Sequence, residues 1–128
     1  MKQEREGEKR MEINNLEWEV IEIVKGDERL KDKEGKDCYG VCEFYENKIY
    51  LDKGLCENLK MKVLAHELTH AYIYSHLLTT PEQYSEEELC EFVSCYGKGI
   101  WNQVDEYFFH KEIDMRREEE KRSAGGKK

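Results

Sequence analysis

The amino-acid sequence predicts an α+β fold in which a small antiparallel sheet packs on one central helix and further helices follow. Three observations lead to this prediction. The chain has short segments of alternating apolar and polar residues, a long central stretch without glycine or proline, and a later acidic segment that is typical of a helix start. The chain has 128 residues, of which 39% are charged, and its net charge is −8. This length fits one domain, and the acidic charge argues against a direct nucleic-acid interface, which is usually basic.

Charged residues are concentrated at the two ends of the chain, and they set the predicted domain limits. We predict a charged, flexible lead-in over 1–15, a folded domain over 16–113 and a charged, disordered tail over 114–128. No apolar run approaches the ~20 residues that cross a bilayer, and the N-terminus has no apolar signal segment. We therefore expect a cytoplasmic protein without membrane contact. Its five cysteines include no C-x-x-C pair, which favours free thiols and leaves Cys38 and Cys42 as an alternative pair of metal ligands.

Strand signals fill the first half of the predicted domain. Residues 16–24 alternate apolar side chains with glutamates and are rich in β-branched residues. Residues 39–45 and 48–51 are typical of two short strands, joined by a tight turn at Glu46 and Asn47. These segments lead directly into the central helix, which favours a small sheet packed beside it.

The central helix, predicted over about 59–75, contains the sequence H-E-L-T-H at positions 66–70. Because His66 and His70 lie four residues apart on one helix face, both imidazoles can reach one metal ion. Zn²⁺ is the expected metal, because imidazole suits it and it accepts tetrahedral sites. Glu67 projects beside the metal in this pattern and can take a proton from a water that the metal activates.

Further helices are predicted after a break at 79–81, where Thr-Thr-Pro disfavours the helical conformation. Ser85 with Glu88 forms a capping box that is typical of a helix start. Glycines on either side of Lys98 predict an interruption or kink, and an amphipathic helix resumes over 100–113.

A catalytic zinc usually has three protein ligands, so a third ligand is expected outside the central helix. The acidic start of the next helix offers several carboxylates, and Glu87 and Glu91 lie four apart on one face. We predict Glu87 as the third ligand, with Glu91 orienting a ligand histidine. Glu88 and Glu91 are alternative ligands, and so is His76, which follows the second histidine by six residues.

Two motifs together resemble the small metallopeptidases of the ImmA/IrrE type, closest to the compact forms of phages and mobile elements. They are H-E-L-T-H-A at 66–71 and E-x-x-C-E-F at 87–92, and the likeness extends over about 16–110. The family often has aspartate where this chain has Glu91. The resemblance implies a zincin-like fold of the gluzincin kind, a bound zinc and endopeptidase activity. It also implies that the substrate is a specific protein, often a transcriptional repressor encoded beside the peptidase.

The function expected from these features is a zinc-dependent endopeptidase with Glu67 as general base. Two alternatives remain: a non-catalytic, metal-binding interaction module of the antirepressor kind, and a SprT-like, DNA-associated protease. A SprT-like protease normally has a further histidine downstream, in an H-G-x-x-F-like context. His110 lacks that context. Several side chains are candidate donors to the developing oxyanion: Tyr72, Tyr74, His76, Tyr84 and Tyr96.

Overall fold

The computed structural model describes residues 8–78 and 85–125, with the backbone alone for residue 8 and for residues 110–118 and 122–125. Four strands and two helices make up the described fold, which confirms the α+β class. The elements are β1 (Glu8–Ile13), β2 (Leu16–Ile23), a short 3₁₀ turn (Glu28–Leu30), β3 (Gly40–Glu43), β4 (Lys48–Asp52), α1 (Glu57–Ser75) and α2 (Glu86–Gly125).

The sheet has the strand order β1-β2-β4-β3 and is mixed. β1–β2 and β3–β4 are antiparallel, as predicted, but β2 and β4 run parallel. The prediction of a purely antiparallel sheet is therefore wrong at its centre. The connection between β2 and β4 is long enough for a parallel crossover, and it carries β3, which then pairs with the outer edge of β4.

β1 occupies part of the segment that was expected to be flexible. It forms a hairpin with β2 through Asn14 and Asn15, whose φ angles of 48° and 68° suit asparagine in a tight turn. Met11 and Ile13 alternate with charged residues and pack towards the core. The predicted lead-in is therefore wrong from residue 8 onwards, because the high charge hid a strand whose alternate side chains are apolar.

The core lies between the sheet, α1 and the middle of α2. Its largest fully buried side chains come from all three parts of the fold: Ile13, Trp18, Val20, Ile49, Leu51, Leu64, Leu68 and Val104. Polar contacts add to this packing, since the Trp18 Nε1–H donates to Ser75 Oγ at 2.8 Å. The Lys60 ammonium pairs with the Glu22 carboxylate at 2.6 Å, and the Tyr107 hydroxyl donates to the other oxygen of the same carboxylate.

α2 is one continuous helix, in contrast to the predicted kink at 97–99 and the predicted disordered tail from 114. A Cβ on Gly99 would lie 3.0 Å from the Tyr72 hydroxyl oxygen, so this glycine lets α2 approach α1 closely. Close packing, and not a helix break, explains its presence. Between positions 100 and 124 the sequence has neither glycine nor proline, and the helix continues.

α1 ends in a turn with a left-handed residue. Leu77 has φ +54°, and the Leu78 and Leu77 N–H groups donate to the carbonyl oxygens of Ile73 and Tyr74 at 3.0 and 3.1 Å. This is the pattern of a Schellman C-cap. The predicted break at 79–81 lies outside the described residues. Within the described ranges, neither helix has an apolar stretch sufficient to cross a bilayer.

Candidate metal centre

α1 places the three residues of the H-E-x-x-H motif at one point beside the core. Its buried stripe includes Leu64, Leu68 and Ala71, while His66 and His70 emerge at the edge of this stripe and are exposed. The two imidazole centroids are 5.0 Å apart. One ligand atom from each histidine and one Glu67 oxygen all lie within 4.8 Å of one another, as the sequence predicts.

Glu67 is held on the buried side of this group, with only 7% of its surface exposed. Strand β3 passes directly over it at Gly40. A Cβ at this glycine would lie 3.0 Å from Glu67 Cγ and 2.7 Å from Val63 Cγ1. Glycine is therefore what allows the strand to come so close to the motif, and sequence reasoning alone did not detect this role.

The surroundings of the motif shift the pKa values of two of its members. Burial raises the pKa of Glu67, and the nearby His66 opposes part of that rise. Burial, followed by the charge of His66, lowers the pKa of His70. A raised carboxylate pKa suits a general base that works near neutral pH, and a lowered histidine pKa favours the neutral imidazole that binds metals.

Burial also shifts the pKa values of two thiols near Glu67, those of Cys38 and Cys42. Burial, with the charges of Glu67 and Glu43, raises the pKa of Cys42 to about 12. Burial also raises the pKa of Cys38, helped by nearby carboxylates. Metal binding needs the thiolate, which these conditions disfavour. Neither cysteine belongs to the metal-binding group found among the described residues, so the alternative pair of cysteine ligands finds no support.

The donor set fits zinc. Two imidazole nitrogens bound tetrahedrally to one zinc at ~2.1 Å are ~3.4 Å apart. The ligand atoms of the three motif residues lie within 4.8 Å of one another. Since His66 and His70 are exposed, small rotations of their side chains bring both nitrogens into range. Glu67 is the buried member and lies beside the two ligands.

A cavity of about 590 Å³ opens between α1 and the start of α2, in front of the two histidines. Its polar lining contains both histidines, Thr69 and two carboxylates, those of Glu88 and Glu91. Glu87 is exposed and does not line this cavity. The predicted role of Glu87 as third ligand is therefore not supported by its position.

Helical spacing explains why the neighbouring glutamates reach the cavity. Phe92 and Tyr96 line it, and Glu88 lies one turn before Phe92 on the same face. Glu91 lies one turn before Cys95, whose Sγ–H donates to Glu91 Oε1 at 3.4 Å. The apolar Phe92, one turn after Glu88 on the same helix face, was thus the signal that could have identified Glu88. Ser85 caps α2 as predicted, its Oγ accepting from the Glu88 N–H at 3.2 Å.

The remaining candidate ligand and the candidate oxyanion donors lie at different distances from the cavity. His76 stacks between Tyr72 and Tyr96, with ring centroids 5.7 and 4.7 Å away, and is not in the metal-binding group. The Tyr72 hydroxyl donates to Gln103 Oε1 at 2.9 Å. Tyr96 is the oxyanion-donor candidate that lines the cavity among those described. Tyr84 and the side chain of His110 lie outside the described residues.

Comparisons of the chain with protein-family models, with curated proteins and with solved structures find no match.

Proposed function

We propose that the chain is a zinc-dependent endopeptidase of the ImmA/IrrE type with a zincin-like fold. The observation that carries this proposal is the cluster of His66, Glu67 and His70, in which the carboxylate is buried and both imidazoles face an open cavity. A structural metal site is usually closed by four protein ligands, whereas a catalytic site keeps a position open.

His66 and His70 would hold the zinc, with a carboxylate from α2 as the third ligand. Glu91 is the preferred carboxylate, because its contact with Cys95 places it on the cavity wall, and Glu88 is the alternative. Zinc in such a site lowers the pKa of its water to ~7 and polarises a carbonyl group.

Glu67 is the proposed general base. It takes a proton from the attacking water as the water oxygen adds to the scissile carbonyl carbon, and it returns a proton to the leaving amine when the C–N bond breaks. Its burial against β3 fixes the carboxylate beside the histidines, and its raised pKa brings it closer to the working pH. Tyr96 is the proposed donor to the developing oxyanion.

The proposed substrate is a specific protein, such as a repressor of a phage or mobile element. This part of the proposal follows from the resemblance of the motifs alone. The size of the cavity that both histidines line is compatible with narrow specificity.

The direct test is cleavage of a proteome-derived peptide library by the zinc-loaded chain, with mass spectrometry as the readout. Glu67→Gln keeps the size and hydrogen-bonding capacity of the side chain but removes the base. We expect it to retain zinc and to lose at least ~10²-fold in rate. Equal cleavage by both proteins, or none by the wild type, contradicts the peptidase proposal. No cleavage with full zinc binding leaves the interaction-module alternative.

A further inference from the structure

The cavity in front of the histidines has an apolar wall in addition to its metal-binding face. The wall brings together side chains from the end of α1, the turn after it and the first three turns of α2. Its members are Ile73, Leu78, Leu89, Phe92, Cys95 and Tyr96. Ligand pockets have this composition, with mainly apolar walls and a few polar groups in fixed positions.

Two local structures build this wall. The Schellman turn directs Leu78 back against the last turn of α1, where its N–H donates to the Ile73 carbonyl oxygen. On the α2 side, Phe92 and Tyr96 pack on each other with ring centroids 5.3 Å apart. Leu89 completes the wall and keeps 50% of its surface exposed. The wall is therefore formed by the fold itself and still has apolar surface that a ligand could cover.

We propose that this wall is a specificity pocket that selects a large aliphatic or aromatic side chain next to the scissile bond. The inference rests on the proposed peptidase function. Because His66 and His70 belong to the same cavity, a peptide carbonyl at the metal places a neighbouring side chain against the wall. Glu88, the carboxylate of the same cavity that the preferred ligand set does not use, would repel an acidic side chain.

A second cavity, of about 450 Å³, supplies an internal comparison. It shares His66, Thr69 and Phe92 with the first cavity but contains two cations, Lys62 and Lys98, and no carboxylate among its lining residues. Val93 lines this second cavity, and Leu89 lines the first. The two residues are one helical turn apart, and both are at least half exposed, so they form a matched pair for substitution.

The test measures binding and does not need turnover. Dipeptide hydroxamates chelate zinc and carry one variable side chain: isobutyl, benzyl, methyl or carboxymethyl. Their Kd values are measured by calorimetry on zinc-loaded Glu67→Gln protein. We expect the isobutyl and benzyl compounds to bind at least about tenfold more tightly than the methyl compound, and the carboxymethyl compound to bind most weakly. Leu89→Asn should reduce the preference for the isobutyl compound, measured as Kd(methyl)/Kd(isobutyl), several-fold. Val93→Asn should leave this preference unchanged.

The outcomes separate the two proposals. Equal Kd values for all four hydroxamates overturn the specificity pocket and leave the metal centre intact. An equal loss of preference in Leu89→Asn and Val93→Asn also overturns it, because the preference would then not belong to this wall. If no hydroxamate binds and the chain takes up no zinc, the proposed function fails and the pocket proposal fails with it.

Discussion

The two sides of α1 are built in different ways. The side that faces the sheet is closed and held by long-range contacts: Trp18 bonds to Ser75, and Lys60 pairs with Glu22. The side that faces the start of α2 is open, because both histidines, Ser85 and the α2 residues from 86 to 91 are all exposed. The comparison indicates that the fold holds Glu67, the proposed general base, firmly, whereas the carboxylates proposed as third ligand lie on a segment with few packing contacts.

The largest loss of stability is expected from breaking the ion pair on the closed side of α1. Lys60→Met removes the cation that pairs with the buried Glu22 carboxylate and should lower the free energy of unfolding by about 3–5 kcal/mol. Lys62→Met is the matched control on the open side, since Lys62 is exposed, and it should change stability by less than about 0.5 kcal/mol. Urea titration measures both. Equal losses of stability in the two variants would mean that the closed side of α1 is not held more firmly than the open side.

A smaller effect is expected where β3 touches α1. Gly40→Ala places a methyl group against Val63 and Glu67, and overpacking of this kind costs about 1–3 kcal/mol. Gly54→Ala is the control, because its Cβ would meet only Asp52 Oδ1, at an ordinary distance of 3.4 Å. Thermal unfolding compares the two variants. A Gly40→Ala protein as stable as the control would show that the close approach of β3 is not needed.

The pKa of Glu67 gives a pH-dependent prediction for the metal-free protein. Burial raises this pKa in the folded state, so the ionised carboxylate destabilises the fold. Relative to Glu67→Gln, the wild type should lose stability as the pH rises through the folded-state pKa. The two proteins should differ least below the pKa of the unfolded chain, near ~4.3. The measurement is Tm against pH in the presence of a chelator.

Glu34→Gln is the control for this series, because it removes an exposed carboxylate outside the site. It should change Tm little at any pH. A Glu67→Gln protein that is less stable than the wild type at pH 7 would contradict the assigned burial effect.

The smallest effect is expected on the open side, at the turn after α1. Leu77 adopts a left-handed conformation that costs a non-glycine residue about 1–2 kcal/mol, and its side chain is 86% exposed. Leu77→Gly should therefore raise the free energy of unfolding by about 0.5–1 kcal/mol after the entropic cost of glycine. Leu77→Ala keeps the strain and should bring no such gain. Chemical denaturation of the three proteins decides between these outcomes.

The sequence predicted those parts of the molecule that depend on local pattern. Spacing and turn chemistry predict the bounds of α1, the strands near 16–24 and 48–51, the turn at Asn47 and the start of α2. The grouping of the two motif histidines with Glu67 follows from helical geometry alone.

The parts that were missed depend on contacts between distant segments. β1 pairs with β2 in spite of its charge, and β2 pairs in parallel with β4 across a long connection. Gly99 serves the close packing of α2 on α1, and Gly40 serves that of β3 on α1, although glycine usually signals a break. The choice among Glu87, Glu88 and Glu91 depends on the rotation of α2 about its axis, which only its packing on α1 sets.

The zinc content of the purified chain tests the central claim most directly. It is measured by elemental analysis on the wild type and on the variants Glu91→Ala, Glu88→Ala and Glu87→Ala. The expected result is about one zinc per chain in the wild type and in Glu87→Ala, with a clear loss in Glu91→Ala. A loss in Glu88→Ala instead would move the third ligand by one turn within the same cavity. Absence of zinc from the wild type, or a loss confined to Glu87→Ala, would contradict the metal centre described for this cavity.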